Sequence, residues 1–329
     1  MILILSSEKD FSTIEVIDWI LYFQSDFFRL SSSVSVHANI LISSSCQNIV
    51  LKFNKLSIDI EQITSFWYRR DMLNIKSIDT SSMIKEVEDT ADYKIRLQSY
   101  LQAYLQSEIN IVIDFMYYLL KDKKHINSHI NNRPNKLCIL HLAQKAGLDT
   151  PLTLITEENE CINNIFKDDF FISKAITECV FWLEDLSAFS GFTTKGRNID
   201  ISKGGMFISQ FQEKLDKLYE LRIFYLEGIC HTVAIFSQLD EQTIDDFRHY
   251  NKSYPNRTPP YKLPKEIEKK ITSFMQLADY NCGSIDMIVT KDKRYVFLEI
   301  NPIGQFQQVS KPANFYLERS IANFLHNES

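Results

Sequence analysis

Two carboxylates and an amide near the end of the chain have the types and spacing of a cation site. In GSIDMIVTKDKRYVFLEINPIGQF, residues 283–306, the alternation of apolar and polar residues predicts a β-hairpin. A two-residue turn at Asp292 and Lys293, or a four-residue loop over Lys291–Arg294, places Asp286 directly opposite Glu299. Opposed Cβ atoms lie roughly 4.5–5.5 Å apart, so the two acids repel unless one is protonated or a cation sits between them. Asn301, two residues beyond Glu299, shares its face in a regular strand. Hard oxygen donors of this kind suit Mg2+, which takes few protein ligands and completes its shell with water and phosphate. They equally suit a solvated polar face on an edge hairpin.

Cations elsewhere bear on the choice. Lys174 in FFISKAI shares a strand face with Ile172 and Ile176; such an ammonium either finds an anion or snorkels to solvent. Lys136 stands in the first turn of a helix, where the macrodipole disfavours a cation, so it points into solvent or meets an anion. Glu220 and Arg222 in YELRIF are same-face neighbours at a strand start, and Arg222 either clamps a phosphate or pairs with Glu220. Arg248 in DDFRHY follows two acids and reads as a surface ion pair or a substrate clamp. His231 and His249, the histidines nearest these motifs, read as structural.

The elements that must position these groups follow from periodicity. MILIL, STIEVIDWILYF and SVSVHANILISS predict strand, helix and strand, with further short strands at NIVLKF and SFWYRR. Helices are expected from about Ser82 to Ser107 and from Ile109 to Leu120, followed by a polar boundary at 121–135. Asn135 should cap a helix ending at Ala146, with Gly147 as its stop. Strands follow in FKDDFFISKAITE and CVFWLEDL, then a polar loop at 187–205 holding four of the eight glycines. MFISQFQ, ELRIFYLEG and ICHTVAIFSQ are alternating strands, and a basic, proline-rich connection at 248–265 leads to a helix over Lys265–Tyr280.

Composition narrows the function classes. A net charge of −6 argues against general nucleic-acid binding, since polyanion affinity comes from clustered Lys and Arg. No apolar run reaches the ~18 residues needed to span a bilayer, so no membrane partner is expected. Six scattered cysteines without a CxxC pair predict reduced thiols and a cytoplasmic protein. There is no GxGxxG and no GxxxxGK[ST], which excludes the Rossmann and P-loop ways of holding a nucleotide.

The order Lys136, Lys174, QE at 212–213, ELR at 220–222, DFR at 246–248, Asp286 and LEINP at 298–302 resembles that of ATP-grasp ligases. NKLCILHLAQKAGLDTPLTLIT, KLDKLYELRIF, the final hairpin and FWYRR at 66–70 resemble the ATP-grasp peptide maturases that make graspetides of the microviridin and grasp-with-spasm kind. The resemblance covers nearly the whole chain. It implies an α/β (α+β) fold in which two lobes grip ATP between antiparallel sheets, preceded by an α/β pre-ATP-grasp domain. The corresponding divisions are 1–122, a central lobe at 123–208 and a C-terminal lobe at 209–329.

Carried over by position, the resemblance implies that Lys136 and Lys174 contact ATP phosphates. Gln212, Glu213, Lys214 and Leu215 would form the adenine-side hinge, largely through backbone groups, with Glu220 near the ribose. Arg222 and Arg248, with Lys174, would act on the phosphate and acyl-phosphate side, and Asp286, Glu299 and Asn301 would hold two Mg2+ ions. The implied reaction activates Asp or Glu side chains of a precursor peptide, recognised through a leader segment, and joins them to Ser or Thr hydroxyls or Lys amines. A homodimer is compatible with the resemblance. The other readings are a glutamate-ligase-type enzyme that appends a free amino acid, and a non-catalytic ATP- or peptide-binding module.

Overall fold

The computed structural model describes residues 1–44, 47–53, 56–69, 71, 73–85, 89–127, 134–166, 170–177, 180–182, 188–190, 194–195, 207–238 and 256–326. The chain divides into two compact units, residues 1–132 with 317–329, and residues 133–316.

In the first unit, β1 (Ile2–Ser6) is buried at every position and lies inside a parallel sheet, as continuous apolar runs do. Its neighbours are β2 (Phe27–Leu30) on one side and β6 (Ser65–Arg69) on the other. Helix α1 (Phe11–Tyr22) begins at Asp10, whose carboxylate accepts from the Ser12 and Thr13 amides. Arg69, from FWYRR, is buried and donates through Nε to Asp10 Oδ2 at 3.1 Å and through Nη2 to Ser12 Oγ at 2.8 Å. Burial pushes the Asp10 carboxyl up, but the Arg69 charge and the Ser12 and Thr13 hydrogen bonds together hold it below its ordinary value. Arg69 therefore ties β6 to the start of α1.

A second sheet runs β5 (Leu56–Asp59), β4 (Gln47–Phe53), β3 (Ser35–Ile42), β7 (Asn74–Ile75). The short α2 (Ser81–Lys85) precedes α3 (Ala91–Lys121), one continuous helix of 31 residues where the sequence suggests two. The polar QSE at 106–108 is tolerated because helix interiors exclude only Gly and Pro strongly. Strand β8 (Lys124–Ile126) completes the parallel sheet beside β6.

In the second unit, α4 (Lys136–Lys145) is capped by Asn135, which accepts from the Leu137 and Cys138 amides, and stops before Gly147 at φ +79°. The central sheet is antiparallel, in the order β13 (Thr194–Lys195), β10 (Phe171–Lys174), β14 (Ser209–Glu213), β9 (Thr153–Thr156). Its apolar face holds Phe171 and Phe211 against Ile162 and Phe166 around α5 (Asn159–Ile165). A separate hairpin joins β11 (Val180–Trp182) and β12 (Ala188–Ser190). Strands β12 and β13 thus fall inside the stretch 187–205 that the sequence presents as a loop.

The C-terminal sheet, in the order β16 (Ile229–Ile235), β15 (Lys217–Leu226), β17 (Cys282–Thr290), β18 (Tyr295–Asn301), is antiparallel throughout. One face carries Leu221, Ile223, Ile285, Met287, Phe297 and Ile300 onto α4 and α6 (Lys265–Leu277), forming the main core of the unit. Phe274 and Phe297 meet there at 4.9 Å between ring centroids. Outside β16, Arg257 and Pro260 bridge Phe236 and Val233; outside β18, Asp149 bridges Val296. After α7 (Gln307–Ala313), the last helix α8 (Leu317–His326) belongs to the first unit and packs on α1. By tertiary pairing α8 groups with the first unit, and β14 completes the sheet of β10 and β9. Among the described residues, no helix is long and apolar enough to cross a membrane.

Candidate functional site

Asp286 does face Glu299, by a route the sequence pattern does not show. The final turn has three residues, Lys291–Lys293: Thr290 N–H bonds Arg294 O at 3.0 Å, Lys293 N–H bonds Thr290 O at 2.8 Å, and Lys293 sits at φ +67°. That turn pairs Val289 with Tyr295, Ile288 with Val296 and Met287 with Phe297. Continued regularly, it would set Asp286 against Leu298. A bulge at Leu298 intervenes, after which Asp286 pairs with Glu299 and Ser284 with Asn301. In an unbroken strand Phe297 and Glu299 would share a face. The extra residue lets Phe297 enter the core, with its N–H on Asp149 O at 2.8 Å, while Glu299 emerges on the opposite face.

That opposite face carries the charged groups. Arg222, Asp286 and Glu299 form one row across β15, β17 and β18. Arg222 Nη1 contacts both Asp286 oxygens, at 2.6 and 2.5 Å, with side-chain exposures of 8% and 16%. One guanidinium faces two carboxylates, so the row keeps a net negative charge in a half-buried setting and favours a further cation. Arg222 Nε is buried without a hydrogen-bond partner. In the next row, Ser284 lies between Phe224 and Asn301, and Asn301 Oδ1 accepts from Gly304 N–H at 3.3 Å. Gly304 has φ +60°, and a Cβ there would stand 3.1 Å from the Phe224 ring and 3.3 Å from Ser284 Oγ. A Cβ on Gly283 would come within 2.9 Å of Ile300, the residue between Glu299 and Asn301. The backbone around the donors is therefore closely fitted.

A second bulge, at Leu218, separates Lys217, opposite Thr290, from Tyr219, opposite Val289. It brings Lys217 onto the face of Glu220, three residues on, where the two form a buried ion pair and Ser237 Oγ adds a hydrogen bond at 3.1 Å. Burial pushes the Glu220 carboxyl above its ordinary value, against the pull of Lys217 and Ser237. Arg222 consequently turns to Asp286 rather than to Glu220. Lys217 escapes a period-two reading, because only the bulge turns it inward.

Lys217→Met is expected to lower stability by about 1–3 kcal/mol near pH 8, since the Glu220 carboxylate loses its counter-ion. A carboxyl whose folded pKa is raised favours folding below its unfolded value and loses that contribution as pH rises through the folded one. Removing Lys217 raises the folded value further, so the loss should shrink toward pH 5. Denaturant unfolding at both pH values tests this, and a pH-independent loss would contradict it.

In the central sheet, Lys174 ends β10 opposite Gln210, on the face that also carries Gln212. Lys136 Nζ reaches Ala175 O at 3.5 Å, which brings α4's first residue to the strand end beside Lys174. Gln210 is 5% exposed, and its Oε1 is buried without a partner. Gln212 donates through Nε2 to Thr153 Oγ1 at 3.0 Å. The Glu213 and Lys214 amides are taken by Leu152 O and Phe170 O, each at 3.0 Å, and Glu213 Oε1 accepts from Leu152 N–H at 3.1 Å. Two amides in the stretch 212–215 are thus already committed. His231 lies beside Phe315, ring centroids 5.4 Å apart and planes tilted by 58°, and burial holds its imidazole below its ordinary pKa. Arg248 and His249 lie outside the described residues.

The donors fit Mg2+: two carboxylates and an amide, with room in the charge balance for a cation. Among the described residues, no three His, Cys, Asp or Glu side chains gather as a self-sufficient metal cage. A metal bound here needs oxygens from elsewhere, as Mg2+ with a nucleotide has. The orphaned Gln210 Oε1 and Arg222 Nε fit a polar ligand, because a buried polar atom without a partner costs about 1–3 kcal/mol.

No protein-family model and no curated protein matches the sequence. Solved structures match over the full length. Macrocyclase MdnC from Microcystis aeruginosa MRC, bound with precursor peptide MdnA, is 24% identical with a TM-score of 0.73, over 99% of each chain. A RiPP-associated ATP-grasp ligase from Chryseobacterium gregarium, in complex with ADP and a leader and core peptide, is 23% identical with a TM-score of 0.79. That match covers 100% of this chain and 97% of the other. ATP-grasp ligase PsnB, complexed with precursor peptide PsnA2 and AMPPNP, is 14% identical with a TM-score of 0.68, over 98% and 95% of the chains. The chain has the fold of these proteins, the ATP-grasp fold.

Proposed function

We propose that this protein is an ATP-dependent peptide maturase that closes rings in a precursor peptide. The observation that carries the reading is the Arg222–Asp286–Glu299 row, built by a bulge and short of positive charge. The full-length likeness to ligases solved with precursor peptides and adenine nucleotides supports it.

In this reading the ATP γ-phosphoryl passes to a side-chain carboxylate of an Asp or Glu in the peptide, giving an acyl phosphate and ADP. A Ser or Thr hydroxyl, or a Lys amine, then attacks that carbonyl. Phosphate leaves, the attacking group loses its proton, and an ω-ester or ω-amide closes the ring. Such transfers ask the protein for positioning and charge compensation rather than covalent chemistry. Lys136 and Lys174 hold the phosphates, and Arg222 and Arg248 face the transferred phosphoryl group and the acyl phosphate. Gln212, Glu213, Lys214 and Leu215 line the adenine side, with Glu220 toward the ribose. Asp286, Glu299 and Asn301 would hold Mg2+, two ions in this reading, which supplies charge neutralisation at the phosphates when bound.

The test is incubation with ATP, Mg2+ and a leader-bearing peptide containing Thr, Lys, Asp and Glu. Maturase activity releases ADP and phosphate in equal amounts and removes one water from the peptide mass per ring. A peptide that instead gains an amino-acid residue marks a glutamate-ligase-type enzyme. Tight ATP binding with no turnover marks a binding module. Either result overturns the proposal.

A further inference from the structure

The central sheet has two faces of different character. Phe171 and Phe211 turn to the apolar cluster around α5, so Ile172, Lys174, Gln210 and Gln212 turn to the other face. Two rows cross that face: Lys174, Gln210 and Ile155, then Ile172, Gln212 and Thr153. The Gln212 amide is engaged, donating to Thr153 Oγ1. Gln210 is 5% exposed, and its Oε1 is buried with no donor among the described residues. An apolar side chain of similar length would escape the desolvation that such an oxygen suffers. Gln210 is therefore costly to the fold and suited to a ligand that brings an N–H or O–H.

We propose that Gln210 reads the nucleobase, its Oε1 accepting from the exocyclic amine of a 6-aminopurine nucleotide. The inference deepens the proposed function and rests on its nucleotide site. An amide oxygen is repelled by phosphate oxygens, so Gln210 does not serve the phosphates even though Lys174 lies opposite it. ATP has donors of only two kinds, the ribose hydroxyls and the amine of the ring. Glu220, a carboxyl and the stronger acceptor, is already assigned to the ribose, which leaves the amine for Gln210. Ile155 beside Gln210 and Ile172 in the next row add the aliphatic surface on which a flat ring packs. Main-chain reading of the base is meanwhile restricted, since the Glu213 and Lys214 amides are held by Leu152 O and Phe170 O. Selectivity for the base thus passes to a side chain.

Titration calorimetry with Mg2+ and no peptide tests this without requiring turnover. Wild-type protein is expected to bind ATP about tenfold or more tightly than purine riboside triphosphate, which lacks only the amine, because that analogue leaves the buried oxygen unpaired. In Gln210→Met the ratio should fall to about one, through weaker binding of ATP. Deoxy-ATP, lacking the ribose 2′-hydroxyl, should be weakened by the substitution as much as ATP is. Free of nucleotide, the variant should melt at or above the wild-type temperature, whereas a merely structural glutamine would lower it. A wild type that does not distinguish the amine, a variant that keeps the distinction, a coupling confined to the ribose hydroxyl, or a lowered melting temperature with all three nucleotides weakened alike overturns the proposal and leaves the maturase reading standing. Failure of the wild type to bind any of the three removes both.

Discussion

Glu299→Gln is expected to lower turnover by roughly a thousandfold or more while leaving the protein folded. The substitution preserves shape and removes the charge that, with Asp286, makes the row anionic. Arg222 already occupies Asp286 from the other side, so without Glu299 little remains to attract a divalent ion. A thousandfold loss corresponds to about 4 kcal/mol of transition-state stabilisation, within the scale expected for removing charge compensation from phosphoryl transfer. Without metal, the variant should melt at or above the wild-type temperature, because one of two facing carboxylates is gone. ADP release and calorimetric Mg2+ binding in the presence of nucleotide are the measurements. Turnover within tenfold of wild type would remove Glu299 from the site.

Inserting one alanine between Leu298 and Glu299 should be as damaging, through geometry rather than charge. Phe297 is fixed by its ring against Phe274 and its N–H on Asp149 O, so the strand before the bulge cannot slide easily. With one residue more, the alanine takes the place opposite Asp286, and Glu299 and every following residue shift by one cross-strand partner and turn to the other face. Ile300 and Asn301 lose their fitted contacts with Gly283 and Gly304, and the donor set is broken. Turnover should again fall by about a thousandfold or more, and the melting temperature should drop as well. Leu298→Ala keeps the residue count and should retain activity within a few-fold. If the insertion variant stays active, the register after the bulge is not what orients Glu299.

The residue types of the site were legible in the sequence; two local irregularities that arrange it were not. Alternation in SIDMIVT and YVFLEIN announces the hairpin, and the opposition of Asp286 to Glu299 follows from a two- or four-residue turn. The protein reaches that opposition with a three-residue turn and one extra residue, two deviations that cancel at the acids. Period-two reasoning has no place for bulges, which is also why Lys217 escaped notice beside Glu220 and Arg222. Asn135 and Gly147 marked α4 correctly because capping is local chemistry. The return of α8 to the first unit depends on partners far away in the chain, and no local pattern encodes that.

The short bridges outside β16 and β18 bear on how a peptide can be received. A sheet whose outermost strands lie open invites an extended guest to join as an additional strand. Here Arg257 and Pro260 screen one flank of the C-terminal sheet, and Asp149 screens part of the other. At those positions a guest chain would have to displace native pairing before it could dock by main-chain zippering. In the proposed maturase, a peptide held against this sheet would therefore meet its polar face, where side chains rather than backbone do the selecting.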